Sequence, residues 1–166
     1  MIRLSLAPLF WLCALLATAA AGAVQELPGH EQELLSNTRQ LIFEGRRSGE
    51  GYFSADGTHM IFQSERQPDN PFYQIYLMDL ETGDTRRVSP GMGKTTCAWI
   101  HPNGRKLLFA STHEDPDARQ KQREELDKRA QGQGSRYSWS FDEHYDIYEA
   151  DSQGAILRKL TNAPGY

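Results

Sequence analysis

Cysteine is nearly absent: Cys13 and Cys97 are the only two in 166 residues. Cys13 lies inside an apolar run near the start, not at its small-residue end where a lipid-modified cysteine would sit. If that run is removed as a leader, Cys97 remains alone and no internal disulfide can form. Flanked by Thr96, Ala98 and Trp99, Cys97 is expected to be a small buried hydrophobe. Long apolar stretches are lacking too. The one candidate, Leu4 to Leu16, is shorter than the roughly 20 residues a membrane-spanning helix needs. There is no G-x-S-x-G elbow around Ser54, Ser64, Ser89 or Ser111, and no phosphate-cradling glycine loop, C-x-x-C or H-E-x-x-H. These gaps remove the common hydrolase, nucleotide-binding and zinc classes and leave no catalytic constellation to defend. Strong positive charge is missing as well. Without residues 1–23 the chain carries 17 Lys and Arg against 22 Asp and Glu, a formal −5, which argues against nucleic-acid backbone binding.

What is present begins with that leader. Arg3, the apolar Leu4 to Leu16 run and the small residues Ala19 to Ala23 form a secretory signal, with cleavage expected after Ala23 or Ala21. Residues 24–37 read as a linker. The mature chain is therefore expected to be exported, periplasmic or extracellular, with no stable membrane insertion.

Internal repetition sets the fold class. Tyr52-Phe53-Ser54-Ala55-Asp56-Gly57 aligns with Trp99-Ile100-His101-Pro102-Asn103-Gly104 at an offset of 47 residues. Met60 to Ser64 then falls on Leu107 to Ser111. Asp56-Gly57 and Asn103-Gly104 are hairpin signals. Gln74 to Asp79 matches Asp146 to Asp151 at an offset of 72, and Thr85 to Ser89 matches Leu157 to Thr161. Upstream, Leu41 stands 47 residues before Val88. The pattern predicts a lone fourth strand at 38–43, a four-stranded blade at 51–89 and a second at 98–161 carrying an insertion at 112–140. That is an all-β propeller architecture with about two blades. Recurring Tyr52, Trp99, Phe62, Phe109, Tyr76 and Tyr148 are expected in inter-blade packing. Two blades cannot close a ring, so the gene is expected to continue past Tyr166, with assembly of copies as the alternative.

The S-A-D-G turn, Gln74-Ile75-Tyr76-Leu77-Met78-Asp79 and Arg86-Arg87-Val88-Ser89 resemble the TolB-like (WD40-like) β-propeller repeat family, with Asp146-Ile147-Tyr148 and Arg158-Lys159-Leu160-Thr161 in the second copy. Ala55 and His101 depart from the family pattern without touching the hairpin glycines. TolB-type proteins carry an α/β domain ahead of the propeller, for which the stretch between Ala23 and Thr38 is too short. The resemblance implies a binding scaffold for a protein or peptide partner. The alternative is a propeller that gates substrate for a hydrolase whose catalytic part lies beyond residue 166.

The insertion supplies the candidate sites. Asp117 to Ala130 reads as a polar helix with Pro116 at its first position and Gly132 past its end. With no apolar stripe it is expected to be a solvated decoration, or else a lid or docking element. Its ends join neighbouring strands, which brings His113 and Asp115 towards Asp142 and His144, and these four are candidate ligands for a divalent cation. No other cofactor is expected. Strand alternation puts Arg46, Arg47 and Lys94 on the same end as the insertion. With the alternating aromatics Tyr137 and Trp139 they form the expected partner-binding face.

Overall fold

The computed structural model describes residues 33–133 and 141–164, so the signal expected at 1–23, the first part of the expected linker, Tyr137 and Trp139 lie outside the described residues. Residues 33–40 carry no strand. The region from Leu41 onward holds eight strands and one helix: β1 (Arg47–Phe53), β2 (His59–Glu65), β3 (Gln74–Asp79), β4 (Thr85–Arg87), β5 (Thr95–Ile100), β6 (Lys106–Ser111), α1 (Ala118–Ala130), β7 (Asp146–Asp151) and β8 (Ile156–Lys159). They form two antiparallel four-stranded sheets in the orders β1-β2-β3-β4 and β5-β6-β7-β8. The hairpins turn where expected: Gly57 and Gly104 sit at φ 72° and 71°, a conformation glycine adopts without a steric penalty.

The sheets stack face to face. Ile61, Ile75, Leu77 and Val88 of the first meet Ala98, Ile100, Leu107, Phe109, Tyr148 and Ala150 of the second in one buried cluster. Two-residue periodicity explains the partition, because Ile61 and Leu77, paired across β2 and β3, share a face that Phe62 and Tyr76 do not. Met60, Phe62, Tyr76 and Met78 point the other way and are covered by Leu41, Ile42 and Leu80. Thr96 Oγ1 donates to Gln63 Oε1 at 2.6 Å and stitches the two blades at a buried polar point.

Four expectations are corrected. Residues 38–43 carry no strand. Leu41 nonetheless packs on Met60, Phe62, Tyr76 and Met78 as Val88 packs on their second-blade counterparts. The first strands begin earlier than expected, at Arg47 and Thr95, and each carries a bulge, between Gly49 and Tyr52 and between Thr96 and Trp99. Cys97 is exposed rather than buried, since it lies within its bulge at φ 54° on an edge strand of its sheet. Tyr52 and Trp99 do touch across the blades, ring centres 5.5 Å apart, yet remain 40% and 50% exposed on those edge strands.

Candidate functional site

The β2–β3 and β4–β5 connections lie at one end of the sheets, and the long β6–β7 insertion rises beside them. Asp115 starts it: its Oδ1 accepts the Asp117 N–H at 2.9 Å and launches α1. Pro116 precedes the N-cap Asp117 instead of occupying the first helical position, and Gly132 follows the C-cap Gln131 as expected. At the far end Asp142 Oδ1 accepts the His144 N–H at 3.2 Å.

The two ends converge on a lysine that sequence reasoning missed. Lys121 Nζ lies 2.6 Å from Asp115 and 3.5 Å from Asp142. Lys94 Nζ lies 2.9 Å from Asp142, and His144 Nε2 lies 3.6 Å from Asp115. Burial pushes both carboxyls up, but the lysine partners and the backbone N–H donors outweigh it and hold them below the usual carboxylate range. His113 is turned away from this group. Its ring centre lies 4.3 Å from that of Tyr148, its Nδ1 is 3.1 Å from Ser111 Oγ, and burial lowers its pKa. Of the four proposed cation ligands, three are brought together and one is not. The carboxylates they offer are already engaged by ammonium groups, and among the described residues no three His, Cys, Asp or Glu side chains are grouped as metal ligands.

α1 is docked, not free. Ala118, Gln122, Glu125 and Arg129 recur at spacings of four, three and four and lie along one side of the helix. Gln122 Oε1 accepts the Gly93 N–H at 2.9 Å while its Nε2 donates to Asp69 O at 3.0 Å. Gly93 is packed so tightly that a Cβ there would lie 2.7 Å from Thr112 Oγ1. Arg129 donates to Pro71 O at 2.9 Å, to Glu125 at 2.7 Å and to the buried Glu65, which Arg47 also pairs at 2.7 Å. The helix of the second blade is thus clasped to the loops of the first by polar groups. Apolar periodicity is the usual signal for docking, and α1 has none; the polar stripe was the only sign available.

Of the expected partner face, Arg46 is exposed, whereas Arg47 is engaged by Glu65 and the Tyr73 ring and Lys94 by Asp142 and the Phe72 ring. The buried Ser111 hydroxyl beside His113 is shared with Thr95 Oγ1 within the blade interface, so the pair presents no reachable nucleophile. Beside the ion-pair group, Glu114, Asp115, Glu143, His144, Asp146, Lys159 and the turn at 162–164 line an open pocket of about 310 Å³. Lys159 Nζ bridges Glu114 at 2.9 Å and Asp146 at 2.6 Å there, and these hydrogen bonds raise its pKa.

No family model and no curated protein sequence matches the chain. Among solved structures it is similar to the putative TolB of Agrobacterium tumefaciens, with a TM-score of 0.50 and 20% identity over 77% of this chain and 39% of that one. A TolB of Acinetobacter baumannii gives a TM-score of 0.46 at 20% identity, over 76% of this chain and 24% of that one. The chain spans well under half the length of either. With its stacked four-stranded sheets and the first of these likenesses, the chain has a TolB-type β-propeller fold.

Proposed function

We propose that this chain is an exported binding scaffold whose α1-bearing end engages a protein or peptide partner in the periplasm or outside the cell. The observation that carries the reading is the clasp. A helix with almost no apolar surface is held rigidly over the β2–β3 and β4–β5 loops by Gln122 and Arg129, which leaves its outer side, with Arg119, Arg123 and Lys128, facing solvent. Rigid polar surfaces raised on a β scaffold lower the entropy cost of association. The fold by itself does not assign a partner. Among the described residues no helix is long and apolar enough to cross a membrane.

Two measurements test the proposal. Expression with the native leader is expected to yield a mature N-terminus at Val24 or Gly22; retention of residues 1–23 removes the export claim. Selection of a displayed random-peptide library on the purified chain, followed by hydrogen exchange, is expected to protect the loops at 65–72, 91–94 and 113–117. Protection confined to the opposite turns at 54–58 and 80–84, or no enrichment, overturns the scaffold reading.

A further inference from the structure

The two blades build the same row of side chains and finish it differently. In the first blade Phe62, Tyr76 and Arg87 stand opposite one another across β2, β3 and β4. Two-residue periodicity puts Ser64 and Arg66 on the face of Phe62. The Arg66 guanidinium lies 5.2 Å from the Phe62 ring centre and 4.9 Å from that of Tyr76, and Ser64 Oγ accepts its Nε–H at 3.1 Å. The second blade keeps the register. Phe109, Tyr148 and Lys159 stand opposite one another, with Ser111 and His113 in the places of Ser64 and Arg66. His113 Nδ1 again lies 3.1 Å from the serine Oγ, and Lys159 Nζ lies 5.8 Å from the Tyr148 ring centre.

What differs is the counter-charge. Lys159 holds the Glu114 carboxylate at 2.9 Å and that of Asp146 at 2.6 Å. At the repeat offsets of 47 and 72 these acids correspond to Gln67 and Gln74, so the first blade supplies no carboxylate at either place. Arg87, the counterpart of Lys159, is exposed, and its guanidinium enters no hydrogen bond or ion pair among the described residues. It rests on Gly91, where a Cβ would lie 2.5 Å from its Cζ. The Tyr76 hydroxyl also enters no hydrogen bond among the described residues, although the residue is only 6% exposed. Burial raises its pKa while Arg66 and Arg87 both oppose the rise, so both cations bear on that hydroxyl. Arg66 has one carboxylate partner among the described residues, the exposed Glu44, 3.4 Å from its Nη1.

Resting on the scaffold reading above, we propose that Arg66, Arg87 and the Tyr76 hydroxyl seat an acidic side chain, Asp or Glu, from the partner's bound segment. The second blade carries the ligand type on its own chain: Glu114 sets a carboxylate on the cation opposite the repeat-related tyrosine. Guanidinium groups present paired N–H donors that match the two oxygens of a carboxylate, and the phenol adds an O–H donor. A neighbouring sheet does not close such a seat. The first blade packs against the face that carries Tyr148, and the Lys159 side chain still stays 30% exposed. The seat lies at the α1-bearing end, between the loops at 65–72 and 91–94 that the scaffold reading assigns to the partner.

The test is calorimetric titration of the mature chain with a capped peptide G-E-D-E-G and with its amide twin G-Q-N-Q-G, which keeps the shape and removes the charge. The acidic peptide is expected to bind at least about tenfold tighter, since charge-assisted hydrogen bonds are roughly twice as strong as neutral ones. Arg87→Gln is expected to cost at least about tenfold, and Tyr76→Phe, which removes only the hydroxyl, about threefold or more. Arg105→Gln, at an exposed arginine on the β5–β6 turn at the other end of the sheets, is expected to change nothing. The Arg87 guanidinium bonds no other described group, so circular dichroism of R87Q is expected to match the parent. Equal binding of the two peptides, an unaffected R87Q or Y76F, or an equally damaging R105Q overturns the proposal. So does displacement of the peptide by an equal concentration of inorganic phosphate, which would make the seat a phosphate site. If the acidic peptide fails while library-selected peptides still protect the α1-end loops, only this proposal falls. If no peptide binds at all, the scaffold reading falls with it.

Discussion

Ile61 and Ile75 are fully buried, while Ile147, at the place of Ile75 in the second copy, is 38% exposed and Leu108, at the place of Ile61, is half-buried. The strand positions and side-chain types are the same, and the environments are opposite. The first blade's face is covered by the second blade; among the described residues nothing covers the second blade's equivalent face. There Leu77 is replaced by Glu149, flanked by Lys106 at 3.0 Å and Arg158 at 3.2 Å. Repeat position sets which way a side chain points, and the neighbouring sheet sets what that direction is worth.

The sharpest way to break this comparison is to truncate matched residues. Ile61→Ala is expected to cost about 2–5 kcal/mol through lost burial and the cavity left behind. Ile147→Ala is expected to cost less than about 1 kcal/mol, since much of its surface is already in water. Urea unfolding midpoints read both. A cost at Ile147 as large as that at Ile61 would mean that the second blade's face is covered in solution, which dependence of the midpoint on protein concentration would reveal.

Matched ion pairs give the next contrast. Removing Arg129 leaves the buried Glu65 with Arg47 as its only charged partner among the described residues, so Arg129→Ala is expected to cost about 1–3 kcal/mol. Arg158→Ala removes an exposed partner of Glu149 and is expected to stay within about 0.5 kcal/mol. If the two cost the same, α1 is not clasped as described.

These contrasts separate what the sequence makes legible from what it does not. The offsets of 47 and 72 and the paired hairpin glycines expose eight strands in two blades, because each blade repeats an alternation that only a sheet satisfies. The strand expected at 38–43 is not seen, although Leu41 keeps the packing its repeat position implies, since a repeat signal records side-chain environment and not the backbone ladder. Convergence of Asp115, Asp142 and His144 followed from joining adjacent antiparallel strands. The role of Lys121 did not, since which charge fills a carboxylate pair depends on where one helical turn places an ammonium group. Clasping by Gln122 and Arg129 was invisible for the same reason: polar docking leaves no apolar period.

Acid sharpens the comparison further. Asp115 and Asp142 are both held below their ordinary range, so their contribution is present above about pH 4, the unfolded value, and is lost as pH falls through the folded one. The raised pKa of Lys121 keeps it charged throughout this window. The urea midpoint is expected to fall between pH 6 and pH 3. Lys121→Met leaves a buried carboxylate uncompensated at pH 6, so the variant is expected to trail the parent there and to close much of the gap at pH 3. An unchanged gap would place the acid sensitivity elsewhere.

The smallest effect belongs to the feature the blades share most closely. Glu50 and Cys97, 47 residues apart, occupy the two edge-strand bulges at φ 47° and 54°, a region that disfavours side chains bearing a Cβ. Relief of that penalty, about 1–2 kcal/mol, is partly offset by the greater unfolded-state freedom of glycine, about 0.5–1 kcal/mol. Glu50→Gly and Cys97→Gly are therefore each expected to stabilise by up to about 1 kcal/mol, whereas Cys97→Ala, which keeps the Cβ, is expected to gain nothing. Glycine ordinarily weakens a strand interior, so the sign of the change is diagnostic. Loss of stability in both glycine variants would mean that the bulges lack left-handed residues in solution. A gain in one alone would show that the blades, alike in register, differ in how tightly each edge strand is held.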